Sequence, residues 1–126
     1  MLGSGASGAS HPHINLLGAV TVEIKEMQVE VDKWITQFEE GYWSPLSMMA
    51  RLSEEVGEFA REINHQYGQK TKKPEEPIGD LALELGDILF IVVCFANSLN
   101  IDLEDTFKRV LAKYRYRDSD RWVRKE

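Results

Sequence analysis

The stretch that decides the fold is IGDLALELGDILFIVVCFANSL, residues 78–99. It reads as one long helix whose second half is apolar almost all the way round, so it is expected at the centre of the molecule and not on its surface. Two acids interrupt it, Glu84 and Asp87. Three residues apart, they project from one side of a helix, and at about 100° per residue Glu84 falls in line with Ile88, Ile91 and Phe95. An acid is thus aimed at apolar company. A second pair with the same offset, Glu55 and Glu58 in EEVGE, lies on the preceding segment at the edge of an apolar stripe of Met48, Leu52, Phe59 and Ile63. The two pairs are expected to converge.

Convergence of four carboxylates needs compensation. Like charges one turn apart cost a helix roughly 0.2–0.5 kcal/mol per pair, and an unpaired carboxylate out of water costs several kcal/mol more. A hard divalent cation, magnesium or in its place manganese, reverses that sign, because carboxylate oxygens are its preferred ligands. Either pair alone would read as a solvated helix face; two pairs of equal spacing on consecutive helices favour a metal.

The rest of the chain is consistent with this centre. The 126 residues suit one domain with a thin core, of the kind that self-association completes. Fifteen Lys and Arg against 21 Asp and Glu give a net charge of −6, which argues against a general nucleic-acid binder. One cysteine, Cys94, and three histidines build neither a disulfide framework nor a Cys/His zinc site. The longest uninterrupted apolar run, residues 88–96, is too short to span a bilayer. A cytoplasmic protein without nucleic-acid or membrane partners is expected.

In chain order, residues 1–20 are rich in Gly, Ser and Ala and read as a flexible lead-in to a domain at 21–126. A first amphipathic helix is expected over 22–40, capped by Thr21 and ended by Gly41. On it and just after it lie Trp34, Phe38, Tyr42 and Trp43, as core or dimer-contact residues or as stacking faces for a nucleobase. A second helix is expected from residue 46 or 47 to 66. Gly57 and Gly86 inside helices imply the close approach of a backbone or a ligand. Residues 67–77, with two prolines and Lys70, Lys72 and Lys73, form a surface loop. A fourth helix starts at Asp102 as N-cap, and its end turns basic through Lys113, Arg115 and Arg117, favourable for the helix dipole and for gripping phosphate.

These residues carry a resemblance. Glu54, Glu55 and Glu58 followed by Glu84 and Asp87 resemble the EExxE…ExxD pattern of the all-α nucleoside triphosphate pyrophosphohydrolases, the MazG-like superfamily. FEEGYWSPLSMMARLSEEVGEFAREINHQYG, ELGDILFIVVCFANSLNIDLED and KYRYRDSDRW resemble its small single-domain members in Bacillus, from about Met27 onward. The resemblance implies a four-helix, all-α fold completed by assembly as a homodimer or homotetramer. It implies magnesium held by Glu55, Glu58, Glu84 and Asp87, with Glu54 binding a further ion, orienting the attacking water, or doing neither. It points to Lys113 and Arg117, and after them Arg115, as contacts of the triphosphate, and to Trp34 and Phe38 as candidates for the base pocket, from the same or a neighbouring chain. The implied reaction is hydrolysis of a nucleoside triphosphate to monophosphate and pyrophosphate, with no Ser, Cys or His nucleophile required. A di-iron or di-manganese carboxylate bundle is the rival reading, but such sites usually carry Glu-x-x-His, and here Glu58 and Asp87 occupy the third positions. A helical adaptor with surface acids is the other.

Overall fold

A computed structural model describes the backbone at residues 13–14 and 20–21 and the chain from 23 to 126. Two short strands, β1 (His13–Ile14) and β2 (Val20–Thr21), pair antiparallel with His13 opposite Thr21. The remainder of the expected lead-in lies outside the described residues. The elements after it are four helices: α1 (Ile24–Thr36), α2 (Pro45–Tyr67), α3 (Leu81–Ser98) and α4 (Leu103–Asp118).

The boundaries follow local chemistry. Glu23, and not Thr21, is the N-cap of α1, since Thr21 belongs to β2. The helix also stops at Thr36, short of the expected residue 40. The Thr36 hydroxyl donates to the Asp32 carbonyl at 2.6 Å, and the following amides pair three residues back, Phe38 to Ile35 and Gly41 to Phe38. Gly41 then turns the chain with φ +65°, a conformation that suits glycine. Ser44 caps α2 by accepting from the Ser47 amide, with Pro45 in the first turn. Asp80 accepts from the Ala82 and Leu83 amides, so α3 begins three residues later than the apolar pattern alone suggests. Asn100, at φ 56°, closes α3 as the Ile101 amide reaches back to the Ala96 carbonyl. Asp102 caps α4 as expected, accepting from the Asp105 amide.

The helix α3 packs against α2 and α1, and α1 packs in turn against α4. Met48, Val93, Cys94 and Ala96 form the buried apolar core. A polar network ties the layers together. Asn97 donates to the Gln28 carbonyl and to the Tyr42 hydroxyl, Tyr42 donates to Asp32, and the Gln28 side chain bonds Asn97, the Ile101 carbonyl and the Leu103 amide. Burial and the Asp32 bond push the Tyr42 hydroxyl up to about 12.

The expectation that α3 is enclosed is corrected within one chain. Only its Val93, Cys94 and Ala96 are buried, while Leu85, Leu89 and Val92, spaced along one face, are exposed. With its flanks, the nine-residue apolar run of α3 forms a longer apolar segment. Interrupted by Glu84 and Asp87, the 18 residues of α3 still have a mean hydropathy of 1.8, long and apolar enough to cross a bilayer by composition alone. Here the two acids face a site between α2 and α3.

Candidate active site

Seven residues separate Arg51 from Glu58 on α2, two turns that bring Arg51, Glu55 and Glu58 to one side facing α3. Glu84 in the first turn of α3 meets them. Carboxylate oxygens of Glu55, Glu58 and Glu84 all lie within 4.8 Å of one another, a cluster able to hold a metal ion. Glu55 is 2 % exposed. One of its oxygens is ion-paired with Arg51 at 2.7 Å; the other, with Oε2 of Glu84, is buried without a hydrogen-bond partner. Two buried anionic oxygens in one cluster, each lacking a donor, are the donor set that a hard cation requires.

Electrostatics tell the same story. Burial pushes the Glu55 carboxyl above its ordinary range, Arg51 pulls it back, and Glu58, Asp87 and Glu54 push it up again. Burial, followed by the charges of Glu58, Asp87 and Glu55, raises Glu84. Asp87 therefore acts on both acids, and it lines a cavity together with Glu55. Glu54 is exposed and lies 3.8 Å from Arg51 at the rim.

That cavity, about 280 Å³, is otherwise apolar and aromatic, with Ile35, Tyr42, Trp43, Phe90 and Ile91 in its walls and Arg51 at the acid end. Trp34 and Phe38 do not line it. They pack edge to face with centroids 5.2 Å apart, and both are about half exposed. A second concavity of about 240 Å³ borders the cluster through Glu58 and Glu84 and carries Arg61 and Lys72. Neither is lined by Lys113, Arg115 or Arg117. Arg115 and Arg117 border a different hollow at the end of α4, where Arg117 is held by Asp118 at 2.9 Å, and Lys113 and Arg117 each lie 5.1 Å from the Tyr114 ring. The cations that one chain brings to its own acids are Arg51, Arg61 and Lys72. Arg51 was open to discovery in the sequence, standing four residues before Glu55 on one helix. Nothing local marks Arg61.

Gly57 and Gly86 behave unlike the expectation. An added Cβ at either would meet nothing within 4 Å among the described residues, so none of these makes the expected close approach.

Comparison with known proteins gives the family. The model of the MazG nucleotide pyrophosphohydrolase domain matches residues 43–122. YpjD of Bacillus subtilis (strain 168) is 57% identical over 103 residues, covering 82% of this chain and 93% of its own. The crystal structure of YpjD superposes with a TM-score of 0.69 at 53% identity, covering 76% of this chain and 98% of that one. The crystal structure of the Bacillus-conserved MazG protein, a nucleotide pyrophosphohydrolase, gives 0.67 at 52% identity over 79% of this chain and 97% of that one. With the acids of EEVGE and ELGD gathered between α2 and α3 and the domain model spanning both, the chain belongs to the MazG nucleotide pyrophosphohydrolase family, hydrolases that act on the pyrophosphate bonds of nucleotides.

Proposed function

We propose that this protein hydrolyses (deoxy)nucleoside triphosphates to nucleoside monophosphate and pyrophosphate with magnesium held by Glu55, Glu58, Glu84 and Asp87, as a cytoplasmic enzyme that cleans the nucleotide pool. Manganese can substitute, its ligand preference being similar. The observation that carries the reading is the pair of buried, unpartnered oxygens on Glu55 and Glu84 in one carboxylate cluster.

When bound, magnesium supplies neutralisation of the phosphate charge and lowers the pKa of a coordinated water. The chain's own residues do the rest. Arg51 fixes the orientation of Glu55 through its 2.7 Å contact, leaving the second oxygen free for the ion. The aromatic cavity beside Glu55 and Asp87 excludes water and takes the base, with Tyr42 held in its wall by Asp32 and Asn97. Positioning of this kind turns an encounter into an aligned attack on the scissile phosphorus.

Loss of a stacking face costs about 1–3 kcal/mol. Trp43→Ala is accordingly expected to raise KM about 5- to 150-fold while kcat falls much less; steady-state kinetics decide. An unchanged KM would remove Trp43 from the base site.

The active form is a homodimer or homotetramer. Support comes from the exposed apolar stripes of Leu85, Leu89 and Val92 on α3 and Met49, Val56 and Ile63 on α2, more than a stable single chain ordinarily leaves in water. The open space over Gly57 and Gly86 suits a second copy in close contact. In such an assembly Lys113, Arg117 and Arg115 reach the triphosphate, and Trp34 and Phe38 the base, across the interface from a neighbouring copy.

Phosphorus NMR of a mixed panel of ribo- and deoxynucleoside triphosphates tests the reaction. Magnesium-dependent appearance of monophosphate and pyrophosphate, abolished by chelator, is expected. Orthophosphate alone, or no turnover of any member, would overturn it.

A further inference from the structure

Seven residues beyond Glu55 on α2, Glu62 is the second deeply placed acid of that helix, 8 % exposed. It belongs to no expected site, yet two parts of the α2–α3 connection, Lys72 and Gly79, meet on it together with Gln66 of α2. Lys72 reaches it at 2.7 Å and also donates to the Pro77 carbonyl. Gln66 donates to its other oxygen at 3.4 Å and to the Gly79 carbonyl at 3.5 Å. The backbone of Gly79 lies directly against its carboxylate. A Cβ at 79 would stand 2.1 Å from the Glu62 carboxyl carbon and 2.4 and 2.5 Å from its oxygens. A side chain at 79 would have to push the Glu62 carboxylate out of its present place. The Lys72 bond in turn holds the Glu62 carboxyl below its ordinary range.

What Glu62 grips is the lead into α3. Gly79 is followed at once by Asp80, the N-cap of α3. The Glu84 amide donates to the Asp80 carbonyl at 3.0 Å. A displacement of residue 79 along α2 therefore passes through one helical turn to Glu84, the only acid of the tight cluster contributed by α3. Glu62 and Lys72 also share a concavity with Glu58 and Glu84, so the clamp stands next to the cluster.

We propose that Glu62, with Lys72 and the glycine at 79, is a positioning device for the metal site, setting the register of the α3 N-terminus so that Glu84 closes on Glu55 and Glu58. Glu62 itself holds no ion. The proposal rests on reading the acid cluster as a metal site. Partners that orient ligands commonly contribute 10- to 100-fold to metal affinity.

The test measures manganese binding by electron paramagnetic resonance of the free ion, and the magnesium concentration for half-maximal turnover, in the full chain. Lys72→Met and Gly79→Ala are each expected to weaken manganese binding about ten-fold or more, with unchanged helical circular dichroism. They should raise the half-saturating magnesium to a similar extent, while kcat at saturating magnesium stays within about three-fold. Lys72→Arg keeps the ion pair and should bind within about three-fold of wild type. Gly79→Ala should cost nothing further in a Glu62→Ala background, where the obstructing carboxylate is gone. Should Gly79→Ala fold only in that background, the steric half of the clamp is confirmed. Wild-type manganese affinity in folded Lys72→Met and Gly79→Ala overturns the proposal. Failure of the wild type to bind manganese at all overturns the metal-site reading beneath it, and the two failures are told apart by the wild-type titration.

Discussion

Glu84→Gln is expected to reduce kcat/KM by about 10³-fold or more, while leaving the metal-free protein at least as stable as the wild type. The substitution preserves size and removes one charge. In the metal-free chain that charge is a liability: Oε2 of Glu84 is buried without a partner, and burial together with Glu58, Asp87 and Glu55 raises its carboxyl. A neutral amide at the same place relieves repulsion and brings donors to the neighbouring oxygens. In the working enzyme the charge is what binds the cation, and an amide oxygen is a poor replacement. Loss and gain therefore fall on different states of the protein. Pyrophosphate release measures the first and thermal unfolding in chelator the second. Clear destabilisation of the metal-free variant would mean that Glu84 serves a structural bond, and surviving turnover would mean that the ion is held without it. Either result would remove Glu84 from the site.

How much of this was legible beforehand depends on how local each feature is. Helical periodicity alone places Glu84 and Asp87 on one side of α3 and Glu55 and Glu58 on one side of α2, and the structure brings Glu55, Glu58 and Glu84 into one cluster. The caps Asp80 and Asp102 act within three residues of themselves, so boundaries near them are short-range facts. The end of α1 was harder. Gly41 marks where the chain turns, but the switch to tighter bonds begins five residues earlier, where the Thr36 hydroxyl donates to the Asp32 carbonyl. The uniform apolarity of α3 says that its faces are to be covered without saying by what. Pattern cannot tell which of its faces α1 and α2 cover, and Leu85, Leu89 and Val92 stand exposed in the chain. Least visible was the Glu62 clamp. Its parts at 62, 72 and 79 meet only because the loop folds back over α2, and a loop's path has no periodicity to betray it. The cations of α4 are as plain in charge, yet within one chain Arg115 and Arg117 border a hollow of their own, apart from the acids.

Removing the divalent ion should lower stability, and by an amount that grows as pH rises from about 5 to 8. The sign follows from Glu55 and Glu84, both raised in the folded state. A raised carboxyl binds protons in the native chain that the unfolded chain has already lost. Native stability therefore falls as pH rises from the ordinary carboxylate value through the folded one. The metal-free protein is thus expected to be more stable near pH 5 than near pH 7.5. Glu62 and Asp118 work the other way, being lowered by Lys72 and Arg117 respectively. Their stabilisation is complete above the ordinary carboxylate range and is lost only as pH falls through their depressed values, so it does not vary in this window. Magnesium reverses the trend, because it binds the deprotonated carboxylates and competes with protons for them. At a free concentration of about 100 times Kd, binding to the native state alone adds about 2.7 kcal/mol. Unfolding curves at three pH values, with magnesium and with chelator, should accordingly diverge with rising pH, the magnesium curve lying highest at pH 8. Parallel curves would show that the acids of EEVGE and ELGD carry no ion, whereas a metal-free protein that grows more stable from pH 5 to 7.5 would show that their burial is compensated within the chain.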